Sequence, residues 1–246
     1  VSPDVVVDIG NTRIKWGRVC DGRLTDAASL DADDVSAWQR QATAWADPAC
    51  WVLAGVQPQT RARLAQWLTS RGHRAHVLDS FRQLPICLKV EAPEKVGLDR
   101  LLDAVAVNTR RAAGHGAVII DAGTAVTVDL LDASGVFRGG AIMPGLRLMA
   151  EALHRHTALL PLVVVAERVD PPGASTIPAI GAGVFHSVLG GIESLARTLR
   201  AQCDAPCEFY LGGGDARLLA PNVSFPAQVW QTMTLEGILR SAEALA

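Results

Sequence analysis

AVIIDAGTAVTVDLLDASGVF, Ala117 to Phe137, is the stretch that decides the fold, because VVVDIGNTRIKWGRVCDGRL, Val5 to Leu24, repeats its plan. Each copy runs as three β-branched apolar residues, Asp-x-Gly, a small polar residue, a second strand-like run and a turn. Val5 to Val7 and Val118 to Ile120 are short continuous apolar runs, the pattern of a strand buried on both faces. Asp8 and Asp121 follow where such a strand leaves its sheet, and a carboxylate there needs water, a cation or hydrogen-bond donors, since bare burial is costly. Gly10 and Gly123 permit backbone approaches that a Cβ forbids. Asn11 and Thr12 in one copy and Thr124 in the other supply hydroxyl or amide groups. A single Asp-x-Gly reads equally well as a turn. Two with matching flanks, facing each other, would present N–H groups and hydroxyls to an anion and carboxylates to its counter-cation.

Working outward, 246 residues suffice for two ordinary domains, and the duplication places them at 1–114 and 115–246, with the small, glycine-rich 112–116 as the boundary. A hydrophobic fraction of 49% with 20% charged residues is that of a globular chain with a sizeable core. The formal charge of −2 gives no footprint for nucleic acid, so a polyanionic ligand must be held by local groups and metal ions. Five cysteines at scattered positions argue for reduced thiols rather than a disulfide framework, and Cys203 and Cys207 lack the companions of a zinc site. No cationic segment leads into an apolar signal core, and no apolar run approaches the roughly 20 residues of a membrane helix. A soluble, cytoplasmic protein is expected.

Between the copies, the spacing predicts a hairpin turn at Asp21-Gly22, a helix over 31–46, a strand over 50–56, a helix over 58–70 and a strand over 75–78. That is an α/β unit with a mixed sheet. Trp16, Trp38, Trp45, Trp51 and Trp67 read as core or interface residues. In VEAPEKVGLDRLLDAVAV, Val90 to Val107, Pro93 and Gly97 break the chain before a helix with Asp99 and Arg100 in its first turn. Asp99 can simply complement the helix dipole, or be held ionised and aimed into a cleft to accept a proton from an attacking hydroxyl; geometry decides. Pro144-Gly145 should start a helix running to about His156. His154 and His156, two apart, do not share a helix face. Thr176 can serve as an N-cap to the helical stretch that follows. The strand 207–211 leads into Gly212-Gly213-Gly214-Asp215, where backbone can lie flat against a planar or phosphorylated ligand. A terminal helix is expected over 235–246. The phosphate loop G-x-x-x-x-G-K-[ST], the kinase loop H-R-D, G-x-G-x-x-G and G-x-S-x-G are all absent from the sequence.

The paired strand, Asp-x-Gly, hydroxyl hairpins with a late strand and glycine turn resemble the actin-like ATPase and sugar-kinase superfamily (ASKHA). That resemblance implies two duplicated actin-like, ribonuclease H-like domains of α/β type, mixed sheets flanked by helices, with ATP in the cleft between them. DIGNTRIK (Asp8 to Lys15), GLDR (Gly97 to Arg100), DAGTAVTVD (Asp121 to Asp129) and the Ala174 to Thr176 loop, in this order, are similar to type III pantothenate kinases, also called the Bvg accessory factor family. The resemblance implies ATP-dependent phosphorylation of pantothenate, the first step toward coenzyme A, by a homodimer using Mg2+ or another divalent metal and a monovalent cation, K+ or NH4+. On it, Asp8, Ile9, Gly10, Asn11, Thr12, Arg13, Ile14 and Lys15 cradle ATP phosphates and Thr124 adds an ATP contact. Asp121 holds the monovalent cation, and Gly97, Leu98, Asp99 and Arg100 meet pantothenate, with Asp99 as proton acceptor. Thr176 completes the substrate site. Val90 stands where the family often has Tyr. Two rivals remain, another small-molecule kinase of the superfamily and a transcription accessory factor that retains the fold and contacts the transcription machinery.

Overall fold

The protein is described by a computed structural model covering residues 1–10 and 13–245. It divides into two compact units, one formed by 1–110 with 232–246 and the other by 111–231.

In the first unit, strands β1 (Val5–Ile9), β2 (Arg13–Cys20) and β3 (Arg23–Asp31) form an antiparallel meander. Helix α1 (Val35–Ala44) leads to β4 (Cys50–Gly55), then α2 (Pro58–Thr69) to β5 (Arg74–Val77), and the sheet order is β3-β2-β1-β4-β5. β4 and β5 join in parallel, so the sheet is mixed, as two βα crossovers require. The first helix is shorter than the expected 31–46. β3 takes the chain through Asp31, and Asp34 starts the helix by accepting a 2.8 Å hydrogen bond from the Ala37 amide. Side chains alternate along β1: Val5, Val7 and Ile9 join Ile14, Leu53, Leu64 and the five tryptophans in one buried cluster. Trp16 meets Trp51 edge-on at 4.7 Å, the geometry ring quadrupoles prefer. Val6 and Asp8 project from the opposite face. Helix α3 (Leu98–Arg110) completes this part of the chain, burying Leu101, Leu102, Val105 and Val107.

The second unit repeats the plan. Strands β6 (Gly116–Ala122), β7 (Ala125–Leu131) and β8 (Phe137–Pro144) form the meander, followed by α4 (Leu146–His156) and α5 (Thr176–Arg200). β9 (Cys207–Gly212), a short α6 (Ala216–Leu219) and β10 (Ala227–Val229) follow, and the order is β10-β9-β6-β7-β8 with β9 parallel to β6. Val118, Ile120 and Ala122 face α4 and α5 and pack with Ile180, Val184, Phe185, Val188 and Ile192. Helix α5 is long and apolar enough by length and composition to cross a membrane; this packing accounts for much of its apolar character, since nine of its residues are buried.

The terminal helix α7 (Met233–Ala244) packs on α3, β1 and β4. The expected division into 1–114 and 115–246 therefore changes at its end, because residues from 232 onward belong to the first unit. The physical reason is visible at Gly237, where a Cβ would overlap the Leu102 carbonyl: α3 and α7 approach too closely for any side chain there. Leu235 and Val6 both lie beside Gly17, so α7 covers the sheet face from which Val6 and Asp8 project.

Candidate active site

The two Asp-x-Gly segments occupy equivalent places in their units. β1 and β2 pair through Asp8 with Lys15 and Ile9 with Ile14, and the Gly10 amide donates to the Arg13 carbonyl at 3.1 Å to close the turn. β6 and β7 pair through Asp121 with Thr127, and the Gly123 amide donates to the Ala125 carbonyl at 3.0 Å. Asn11 and Thr12 lie outside the described residues. Asp8 is buried and Asp121 half-buried. Both project from the face of their own sheet opposite the main helical cluster, because Val7 and Ile9, or Ile120 and Ala122, point into that cluster.

A second repeated feature escapes inspection of the motifs. Beside each aspartate the parallel neighbour strand ends in glycine: Asp8 pairs with Ala54 and Ile9 with Gly55, while Asp121 pairs with Gly212, followed by Gly213. Gly55 has φ +135° and Gly213 φ +92°. A Cβ at Gly55 would sit 2.7 Å from the Ile9 nitrogen, and one at Gly213 would sit 2.6 Å from the Ala122 nitrogen. In each unit the residue after the aspartate is thus covered by backbone alone, and only glycine permits it. The signal for Gly213 was the glycine run. Gly55, in the strand CWVLAGV, becomes visible only once the two sheets are compared.

Around Gly213 the second unit gathers further groups. The Asp215 amide donates to the Ala122 carbonyl at 2.9 Å, and the Gly145 amide at the start of α4 donates to the Thr124 carbonyl at 3.0 Å. Gly214 is exposed, with open space where a Cβ would stand. Burial raises the Asp215 carboxyl above its ordinary range, and the Arg147 guanidinium partly offsets the rise. Arg147 itself bonds Glu151 at 2.7 Å. An open glycine shelf next to a carboxylate that an arginine approaches suits a planar or phosphorylated ligand. Among the described residues no group of three or more His, Cys, Asp or Glu could hold a metal ion.

The remaining predicted residues fall into place unevenly. The Ile9 and Ile14 side chains are fully buried in the first core, leaving only their backbone for a ligand. Arg13 turns away to Ser29, donating from Nε to Oγ and from a terminal nitrogen to the carbonyl, each at 3.2 Å. Lys15 is half-buried, as are Gly97, Leu98, Asp99 and Arg100 at the start of α3. Asp99 Oδ1 accepts the Arg100 amide at 2.9 Å, so the carboxylate folds back on its own helix start and leaves Oδ2 for another partner. Asp8 projects toward the face of the first sheet that α7 covers, and α7 packs directly on α3. Thr176 is exposed at the first turn of α5; the N-cap is Ser175, not Thr176. Thr176 lines a cavity of about 680 Å³ with Met149, Leu153, Ile180 and Val184. That cavity lies on the α4 and α5 side of the second sheet, whereas Asp121 projects from the other side. The second unit alone does not bring these two together. His154 is engaged with the Leu160 carbonyl at 2.8 Å.

Residues 5–198 match the family model described as type III pantothenate kinase. A type III pantothenate kinase from Rhodospirillum rubrum is 32% identical over 250 residues, covering 96% of each chain. Among solved structures, a protein from Campylobacter jejuni assigned to the Baf family of transcriptional activators superposes with a TM-score of 0.65 at 18% identity, covering 98% of each chain. The activator of 2-hydroxyisocaproyl-CoA dehydratase from Clostridium difficile, solved with bound ADPNP, gives a TM-score of 0.57 at 15% identity, covering 99% of this chain and 97% of that one. At those identities the structural likeness speaks for the fold, a pair of actin-like α/β domains.

Proposed function

The chain belongs to the type III pantothenate kinase family, and from that premise we propose that it transfers the terminal phosphoryl group of ATP to the primary hydroxyl of pantothenate, the first step toward coenzyme A. The observation that carries this reading is the extent of the match: residues 5–198 contain Asp8, Gly97 to Arg100, Asp121, Thr124 and Thr176 together.

Phosphoryl transfer asks mainly for positioning and charge neutralisation. ATP with Mg2+ supplies the phosphoryl group and part of that neutralisation. In this reading the backbone of 8–15 and Thr124 bind the phosphates, the open shelf at Gly214 receives the nucleotide, and Asp8 offers a carboxylate to the divalent metal. Asp99 takes the hydroxyl proton through the carboxylate oxygen not engaged with the Arg100 amide, while Arg100 pairs with the substrate carboxylate. Asp121 holds a monovalent cation, K+ or NH4+, as its position at a strand end supports. Thr176 meets pantothenate from the second unit.

A homodimer is part of the proposal. Ile142, Leu148, Leu159, Leu162, Val164 and Ile177 of the second unit are exposed, with Leu159 91% accessible, which is the composition of a surface that a second copy covers. The discriminating experiment is an acceptor panel with ATP, Mg2+ and K+: pantothenate, hexoses, acetate and polyphosphate. Phosphopantothenate as the sole product is expected; a phosphorylated sugar or acetate, with pantothenate untouched, overturns the reading in favour of another superfamily kinase, and no transfer to any acceptor favours an accessory factor.

A further inference from the structure

The segment that carries Thr176 is tied down by contacts that no motif announces. Arg168 Nε donates to Asp170 Oδ1 at 2.7 Å, and its terminal nitrogen donates to Asn222 Oδ1 at 3.0 Å. His186 Nε2, on the third turn of α5, is buried, lies 3.6 Å from the same Asp170 oxygen and has no hydrogen bond among the described residues. Val169 packs against Gly181, at 3.3 Å from where a Cβ would stand. Gly173 presses hardest: a Cβ there would lie 2.5 Å from Ala179 Cα and 2.6 Å from the Pro178 carbonyl carbon, all rigid helix backbone. Residues 168–173 are therefore folded back along the first three turns of α5, and Gly173 to Thr176 form one rim of the cavity whose walls are Met149, Leu153, Ile180 and Val184.

We propose that the fold-back of Asp170 onto His186 and of Gly173 onto Ala179 is a positioning device for Thr176, which sets how well the enzyme binds its acceptor and leaves nucleotide binding alone. The inference rests on the reading that Thr176 meets pantothenate. Its physical basis is that the two contacts flank the rim and act on it from α5 itself. Freeing either one lets Ser175 and Thr176 shift while the helix stays buried through Ile180, Val184 and Phe185. The Asp170 carboxylate is itself largely exposed and therefore screened, so the Gly173 contact should matter more.

The test compares Gly173→Ala, Asp170→Asn and Thr176→Ala in the intact protein, with Michaelis constants for pantothenate and ATP measured separately and folding checked by thermal unfolding. Gly173→Ala should lose on the order of 10- to 100-fold in kcat/KM for pantothenate, the scale expected for displacing a binding group by about an ångström. Asp170→Asn should show a smaller loss of the same kind, Asp170→Glu should restore part of it, and KM for ATP should stay at the wild-type value in all. If Thr176→Ala raises the pantothenate KM while Gly173→Ala and Asp170→Asn do not, the positioning role is overturned and the substrate site stands. Equal rises in both Michaelis constants also overturn it, since they report general damage. An unchanged pantothenate KM in Thr176→Ala overturns the substrate-site reading and the inference with it.

Discussion

Replacing Gly213 by alanine tests the architecture of the candidate site at the point where backbone replaces side chains. Its φ of +92° lies in the left-handed region, where a non-glycine residue costs about 1–2 kcal/mol. The added methyl would also stand 2.6 Å from the Ala122 nitrogen and nearer still to its carbonyl, so β9 and β6 must part at their ends; forced overpacking of this kind costs about 1–3 kcal/mol. Together these give roughly 3 kcal/mol, which corresponds to a fall in melting temperature of about 6–12 °C for a chain of this size. Because the displaced residues sit between Asp121 and Thr124, affinity for a non-hydrolysable ATP analogue should fall as well. Gly214→Ala is the internal control for stability alone: it has ordinary φ and open space, and its effect on unfolding should stay within about 0.5 kcal/mol. Calorimetric unfolding of the three proteins, with titration of the analogue, decides the matter. A Gly213→Ala protein that melts with the wild type, or Gly213→Ala and Gly214→Ala proteins that melt alike, would refute the reasoning.

On the proposed cation role of Asp121, the wild-type rate should rise as K+ is titrated and the Asp121→Ala rate should stay flat; the same curve in both proteins would remove Asp121 from that role. Burial raises the Asp215 carboxyl, so its contribution to stability is complete below the ordinary aspartate value of 3.8 and is lost as pH rises through the higher folded value. Asp215→Asn should therefore unfold in more urea than the wild type at neutral pH, the gap shrinking toward acid pH. Glu208 behaves oppositely. Burial pushes its carboxyl up, but hydrogen bonds from the Tyr210 hydroxyl, the Ala112 amide and His115 outweigh it and hold the carboxyl low. Its contribution is present above the ordinary glutamate value of 4.5 and disappears as pH falls through the lower folded value, so Glu208→Gln should be the less stable protein at neutral pH and converge with the wild type in acid.

The duplicated sheets were legible because strands buried on both faces leave continuous apolar runs, and Val5 to Val7 and Val118 to Ile120 are indeed inaccessible or nearly so. The tryptophans read correctly for a similar reason: five large rings have room only in a core. What escaped were relations between distant residues. Nothing local in 233–244 says that this helix crosses back to α3, because the deciding contact is the absence of a side chain at Gly237 against Leu102. Gly55 reads as any strand glycine, because the Ile9 backbone that occupies the place of its Cβ belongs to a strand 46 residues away. Arg13 adds a relation the motif does not announce, its guanidinium donating to Ser29 of the adjacent strand. Val90, in place of the family tyrosine, is half-buried.

The most direct measurement follows the phosphorus itself. Wild-type protein and Asp99→Asn are mixed with ATP, Mg2+, K+ and pantothenate, and the transfer is read by phosphorus magnetic resonance, with binding of an ATP analogue measured in parallel. The account predicts a phosphomonoester on the primary hydroxyl of pantothenate with the wild type, and the same product about 100- to 10,000-fold more slowly with Asp99→Asn at undiminished analogue affinity. ATP consumed without phosphopantothenate, or an Asp99→Asn protein that turns over like the wild type, would contradict it.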